Sequence, residues 1–239
     1  MLHFVGQSHI GKVRSDNQDS FDYGELSANC GFAVVCDGMG GAKGGSVASS
    51  VAVNTIASII RAEYRDNMDD DDITSMLVRS CEAANAEVYH RAGRDPDLQG
   101  MGTTAVIAFI IKGKAHILHV GDSRAYHIKK STVTQITSDH SVVQQLVDSG
   151  EISVEDAKNH PQKNIITRAV GIDGYLSFDY DTVKLEKGGT LLLCTDGLTN
   201  MVTDKQIGKI INESKDASKL IDAALSGGGS DNITAVLVY

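Results

Sequence analysis

Residues 32–45, read FAVVCDGMGGAKGG, decide how the rest of the chain is understood. Phe32 to Cys36 form an apolar run of the length of a buried strand. The run ends on a carboxylate, Asp37, and five glycines follow within eight residues: Gly38, Gly40, Gly41, Gly44 and Gly45. Glycine lets the backbone bend tightly and leaves peptide groups bare, so a carbonyl such as that of Gly38 can face a ligand. Asp37 is thus presented at a strand end beside accessible backbone, which describes a site and not a linker. Two familiar glycine-rich loops are excluded by spacing. A dinucleotide fingerprint starting at Gly38 would need glycine where Lys43 stands, and a Walker loop would need Ser or Thr where Gly44 follows the lysine.

Working outward, the 239 residues are 41% hydrophobic and 22% charged, the composition of a globular domain with a substantial core, and 1–239 reads as one domain. No apolar run approaches the roughly 18 residues of a membrane span. The start, Met1 to Phe4, lacks the basic and then apolar pattern of a leader. The expectation is a cytoplasmic protein with no membrane partner. Cys30, Cys36, Cys81 and Cys194 fall singly, which favours free, buried thiols over disulfides or a zinc site. A net charge of −9 argues against nucleic-acid binding, which needs clustered Lys and Arg. The same excess of carboxylates suits an oxygen-ligated metal site.

Upstream, His3 to Gly11 reads as an edge strand and turn, followed by the unpatterned polar run Arg14-Ser-Asp-Asn-Gln-Asp19. Downstream, Val47, Val51, Ala52, Thr55, Ile56, Ile59 and Ile60 recur at helical spacing. Asp69 to Asp72 precede the periodic set Ile73, Leu77, Cys81, Ala84 and Val88, where acids favour a helix N-terminus over a calcium-like cluster. From Thr103 the pattern changes to strands: TTAVIAFII, KAHILHV, Ser123 to Ile128 and VTQIT, expected as an antiparallel meander. Ser141 to Gly150 is a short helix closed by glycine, and the polar stretch 150–165 is a surface excursion. Gly189 to Thr195 is another buried strand, ending at Asp196-Gly197. Thr203 and Gln206 make a capping box for a helix, Ala217 to Ala224 a second helix, and ITAVLVY a last strand after Asp231-Asn232. Strands and helices are grouped, not strictly alternating, which favours α+β with antiparallel sheets.

Four carboxylates share one context: Asp37 after FAVVC, Asp122 after ILHVG, Asp196 after LLLCT and Asp231 before ITAVLV. A lone Asp-Gly is a turn-former. Four acids at the ends of core strands repel one another unless a cation is present, and oxygen-only ligands suit Mg²⁺ or Mn²⁺. From the residues alone, the expectation is a hydrolase using two bridged metal ions to activate water.

Arg14 to Asp19, Asp37-Gly-Met-Gly-Gly41, Gly102-Thr-Thr104, Gly121-Asp-Ser-Arg124, Ser138-Asp-His140, Ile166 to Gly171, Cys194-Thr-Asp-Gly197 and Ser230-Asp-Asn232 together resemble the ordered motifs of the metal-dependent, PP2C-like serine/threonine protein phosphatases, in their compact bacterial form. The match runs from Gly6 to Tyr239. The resemblance implies a four-layer αββα sandwich, two antiparallel sheets flanked by helices, with a binuclear metal centre at one edge. It implies that Asp37 bridges two Mn²⁺ or Mg²⁺ ions, that Gly38 offers its carbonyl to one of them, and that Asp196 and Asp231 ligate the other. Asp122 matches an acid that joins the Asp196 position in holding a third, weaker ion. Arg14 matches the phosphate-binding arginine, Asp19 acts through water, Asn232 orients Asp231, and 150–165 corresponds to the family's flap.

The reaction implied is hydrolysis of phosphoserine and phosphothreonine in proteins by metal-activated water, opposing a bacterial Ser/Thr kinase, in a monomer. Gln18 stands where relatives often carry Glu. Met39 and Ala42 occupy the positions where relatives carry a histidine proton donor, which leaves Lys43, His140 or a bound water for that task. Other readings predict different behaviour: a phosphatase within an anti-sigma-antagonist switch, a pseudophosphatase that binds without turnover, or an enzyme with an aspartyl-phosphate intermediate on Asp37 or Asp196.

Overall fold

The computed structural model describes residues 1–239 apart from Ser131 and the side chain of Ala42. The expectation resting on Ala42 therefore lies outside the described residues. In chain order the elements are β1 (Phe4–His9), β2 (Asp19–Ser27), β3 (Cys30–Met39), α1 (Gly41–Glu63), α2 (Asp70–Arg94), a 3-10 turn at Pro96–Leu98, β4 (Gly102–Thr103), β5 (Ala105–Ile111), β6 (Lys114–Val120), β7 (Arg124–Lys129) and β8 (Thr132–Gln135). They continue with α3 (Val142–Asp148), α4 (Val154–Ala157), β9 (Asp179–Lys184), β10 (Thr190–Cys194), α5 (Asp196–Thr199), α6 (Asp204–Ser214), α7 (Ala217–Ser226) and β11 (Ile233–Val238). One sheet has the order β1-β11-β10-β7-β8 and the other β2-β3-β5-β6-β9, with β4 paired to the end of β3. Every pairing is antiparallel.

Side-chain alternation along the strands builds the layers. In β3, Phe32, Val34 and Cys36 face the core shared with α1 and α2, where Ile56, Ile60, Ile73 and Leu77 are buried. Ala33 and Val35 face the other way, into a core between the sheets with Val106, Ala108, Leu191, Leu193 and Val236. In β10 and β11, Leu192, Cys194, Ala235 and Leu237 turn outward to Ile207, Ile211, Leu220 and Ile221 of α6 and α7. Strands buried on both faces read as continuous apolar runs because each face has its own partner layer. The result is the four-layer αββα sandwich.

Two expectations are corrected in detail. The strands from Thr103 do not form one meander: β5 and β6 pair in one sheet and β7 and β8 in the other. The chain crosses between sheets at Gly121, whose φ of +100° and contact with Thr104 suit only glycine: a Cβ there would lie 2.6 Å from Thr104 Cγ2. Helix α1 starts at Gly41, so the last glycines of the opening stretch belong to a helix and not to a loop. Helix α1 presses on β3 at its start: a Cβ on Gly45 would sit 2.6 Å from Gln18 Oε1 and 2.7 Å from the Gly38 carbonyl oxygen, and one on Gly38 2.0 Å from the Gly45 carbonyl oxygen. Strands β2 and β9 had no reading at all. Most of their residues are half-buried or exposed, without the apolar run that marks a core strand. The capping box at Thr203 and Gln206 and the acidic start of α2, with Asp69 as N-cap, form as expected.

Candidate metal centre

β3 runs past Cys36 through Asp37 to Met39, and Asp37 lies opposite Asp19 of β2 in the antiparallel register. The Asp37 backbone is clamped from three directions. Thr104 Oγ1 accepts from its N–H at 2.9 Å, Thr103 Oγ1 donates to its carbonyl at 2.8 Å, and the Thr104 N–H donates to the same carbonyl at 2.9 Å. Asp196 is the first residue of α5, directly after β10, and Asp231 stands two residues before β11. The two segments touch, since a Cβ on Gly197 would sit 1.9 Å from the Asn232 carbonyl oxygen. Asp122 follows β6 at the crossing between the sheets. All four acids expected from the sequence therefore collect at one edge of the sandwich, and a fifth, Asp19, is the most buried of the group at 8% exposure.

Their proximity shows in their proton affinities. Burial, and then the charges of Asp19, Asp196, Asp122 and Asp231, push the Asp37 carboxyl well above the usual carboxylate range. Burial pushes Asp19 up to about 7 even though two threonine hydroxyls stabilise its charged form. Asp122 is pushed up to about 7 by burial and then by Asp196 and Asp139. Asp196 is raised by burial and then by Asp231. Thr195 and Thr234 donate to Asp19 Oδ2 at 2.9 and 2.6 Å, while Asp19 Oδ1 and Asp196 Oδ1 are buried without a hydrogen-bond partner. Buried acceptors left unpaired cost stability unless something supplies positive charge. An all-oxygen donor set with orphaned lone pairs fits Mg²⁺ or Mn²⁺.

Arg14 approaches the cluster from outside, its Nη2 donating to Asp231 Oδ2 at 2.7 Å with the side chain about half exposed. Asp231 Oδ1 accepts from the Asn232 N–H at 2.8 Å. The Asn232 side chain does something the sequence reading missed. It accepts from the Gln18 N–H and donates to the carbonyls of Ile10 and Asp16, which staples the Arg14-bearing loop to the start of β11. Gln18 in turn donates to the Gly41 carbonyl at 3.0 Å. Thr195, Thr234 and the Arg124–Asp139 pair, with contacts of 2.8 and 2.7 Å, were also missed as parts of the site. Thr195, Arg124 and Asp139 stand inside motifs of the resemblance that assign them no role, and Thr234, within a strand, carries no polar signature of its own.

His140, weighed as a proton donor, is 6% exposed and engaged at both ring nitrogens. Its Nδ1 accepts from the Gly121 N–H at 3.1 Å, and its Nε2 lies 3.3 Å from Asp179 Oδ2, so it braces the sheet crossing. Among the described residues, His119, His140 and Asp179 are the group that brings three potential ligand atoms within 4.8 Å of one another. With His140 Nδ1 accepting, the Nε2 proton faces Asp179, and Arg168 occupies the same carboxylate at 2.6 Å, so the group is a hydrogen-bonded brace and not a metal site. Among the described residues, no three of the acids at the strand ends bring ligand atoms within 4.8 Å of one another. All four cysteines are buried and free. Burial pushes the Cys81 and Cys194 thiols up to about 12, far from thiolate chemistry.

Two antiparallel sheets between helical layers, with oxygen donors gathered at one edge, define the class of metal-dependent phosphatases. The family model described as Protein phosphatase 2C matches residues 5–226. The chain belongs to that family and is a protein-serine/threonine phosphatase. It is 39% identical over 241 residues to the serine/threonine phosphatase stp of Listeria welshimeri, covering 99% of this chain and 95% of that protein. The structure of the S. agalactiae serine/threonine phosphatase superposes with a TM-score of 0.93 at 34% identity, covering 100% of this chain and 99% of that one. A catalytic domain of serine threonine protein phosphatase PstP in complex with 2 manganese ions superposes with a TM-score of 0.85 at 31% identity, covering 99% and 97%. The family is metal-dependent. Among the described residues no helix is long and apolar enough to cross a membrane.

Proposed function

We propose that this phosphatase cleaves phosphoserine and phosphothreonine at the cluster of Asp37, Asp122, Asp196 and Asp231, with Arg14 holding the phosphate. The observation that carries this reading is the pair of buried, partnerless oxygens, Asp19 Oδ1 and Asp196 Oδ1, within five mutually repelling acids. Asp37, the Gly38 carbonyl, Asp196 and Asp231 would hold two Mn²⁺ or Mg²⁺ ions, and Asp122 with Asp196 a third. Bound there, such ions lower the pKa of water and offset charge gathering on the phosphoryl oxygens. The chain's own share is preorganisation. The threonine clamp fixes the Asp37 backbone, and so the point at the strand end from which its carboxylate projects. Asp19 Oδ1 can accept a hydrogen bond from water at the centre. Arg14, drawn onto Asp231, is the cation that a phosphate dianion takes over through its planar fork.

A phosphorylated hydroxyl is the product of a kinase, so the reaction opposes a Ser/Thr kinase acting on the same proteins. Free thiols fit the reducing cytoplasm. Residues 1–239 act as one domain, a reading supported by β11 lying between β1 and β10, which joins both ends of the chain in one sheet; the domain works as a monomer.

The test is turnover of p-nitrophenyl phosphate and a phosphoserine peptide with Mn²⁺, Mg²⁺ or EDTA, alongside Asp37→Asn. The variant should lose more than about tenfold in kcat, roughly 1.4 kcal/mol. Its metal-free Tm should be equal or higher, because a buried carboxyl that resists ionisation is replaced by a neutral amide. Turnover that survives EDTA, or a phosphorylated protein trapped on acid quench, would favour the aspartyl-phosphate route. Mn²⁺ binding without any turnover would favour a binding module.

A further inference from the structure

Resting on the reading of the acid cluster as the phosphatase centre, we propose that the groove between the end of α2 and residues 171–172 seats the substrate chain beside the phosphoresidue, and that it favours an apolar side chain with acidic neighbours. The groove has a volume of about 410 Å³ and is lined by Tyr89, His90, Arg94, Gln99, Gly171 and Ile172, among others. It adjoins the centre. Met39 lies two residues beyond Asp37 on the same strand, so the two side chains share a face about 7 Å apart. A Cβ on Gly102, the β4 partner of Met39, would lie 2.8 Å from Ile172 Cδ1 and 3.0 Å from Met39 Cε. Ile172 therefore flanks Met39, and two or three extended residues, at about 3.3 Å each, carry a substrate chain from the phosphate to the groove.

The mount is rigid. Buried Asn85 of α2 accepts from the Gly171 N–H at 2.7 Å and donates to the Asp173 carbonyl at 2.9 Å. Val170 exchanges hydrogen bonds with Thr103 at 2.8 and 3.0 Å. Gly171 has a φ of +90° and lies so close to Val88 that a Cβ would meet Cγ1 at 2.1 Å. On this fixed segment Ile172 is 41% exposed, facing Tyr89 at 43%. An apolar pair held open on a braced support is a surface that a partner covers.

The charge identifies the partner. The chain carries 31 acids against 22 Lys and Arg, yet among the described residues no carboxylate lines this groove, while Arg94 and His90 do. Neighbouring Arg91 is neutralised by Glu87 at 2.6 Å, whereas Arg94 has no ion pair among the described residues. An anionic phosphopeptide is the complementary ligand.

Two phosphoserine 11-mers test this, identical except that leucine and glutamate flank the phosphoserine on both sides in one, and leucine and lysine in the other. With Mn²⁺, the wild type should prefer the glutamate peptide by about fivefold in kcat/KM, expressed in KM. Arg94→Glu should abolish or invert that preference. Ile172→Asp should lower kcat/KM for both peptides about fivefold while p-nitrophenyl phosphate turnover stays within about twofold. Equal rates on the two peptides in wild type, a preference that survives Arg94→Glu, or an equal fall for peptide and p-nitrophenyl phosphate would overturn the groove. Failure of the underlying reading looks different: wild type would not turn over p-nitrophenyl phosphate.

Discussion

At position 197 one methyl group would decide the separation of two acids. The Gly197 Cα faces the Asn232 carbonyl oxygen so closely that a Cβ would sit 1.9 Å from it, and backbone cannot yield as a side-chain tip can. Gly197→Ala should cost about 1–3 kcal/mol and weaken Mn²⁺ binding by spreading Asp196 from Asp231. Thermal unfolding and Mn²⁺ calorimetry read both, and a variant with wild-type Tm and affinity would show that the two segments part freely. Arg14→Ala should raise KM for phosphopeptide more than it lowers kcat, since its contact exists in bound substrate and transition state alike. An unchanged KM would reduce Arg14 to its ion pair with Asp231. The acids themselves were readable because each adjoins an apolar run. What holds them was readable only in part: Thr103, Thr104 and Thr195 stand inside the quoted motifs, but nothing in the sequence says that their hydroxyls, with that of Thr234, turn onto the Asp37 backbone and the Asp19 carboxylate.

At the scale of elements, α2 does more than cover a sheet. Through Asn85, 3% exposed, it fastens the segment that returns from the polar excursion. Asn85→Ala would leave the Gly171 N–H and the Asp173 carbonyl without their partner, and should destabilise the protein by about 2 kcal/mol. A loss under about 0.5 kcal/mol in urea unfolding would mean the segment is held by its exchange with Thr103 alone. Elements with a full apolar face, such as β3, β5, β10 and α2, were legible in the sequence. β2 and β9 were not, because they lie at the sheet ends with mixed burial. The assignment of β5 to β8 to one meander failed for a related reason. Hairpin periodicity is local, whereas the choice of sheet after Gly121 is made by which face meets which layer.

For the whole molecule, the gathered acids tie stability to pH and to divalent ions. In the folded, metal-free protein the Asp19 and Asp122 carboxyls sit at about 7, against about 3.9 when unfolded. The folded state therefore holds extra protons between those values. Their contribution is complete below the unfolded pKa and is lost as pH rises through about 7. Metal-stripped protein should lose Tm between pH 5.5 and 8. Buried His116 and His140, with lowered pKa, oppose this slope at the acid end. The isolating comparison is Asp122→Asn, in which the decline should flatten. Added Mn²⁺ should raise Tm more at pH 8 than at pH 6, because ligands must be ionised to bind. A Tm gain independent of pH would count against carboxylate ligation.

The position of β11 in its sheet also governs when the enzyme can exist at all. It is the last strand in chain order, yet it is inserted between β1, the first, and β10, and Asp231 and Asn232 lead into it. A ribosome that has released everything up to α7 has delivered a sheet with its middle missing. The arginine loop at the other end of the chain has nothing to be stapled to, and the acid cluster is one member short. Such a nascent chain closes this sheet by its most sequence-distant pairing, the slowest kind to form. Phosphatase activity should therefore switch on in a single step after the final strand emerges, and a nascent chain stalled before Asp231 should be silent however well its other sheet has formed.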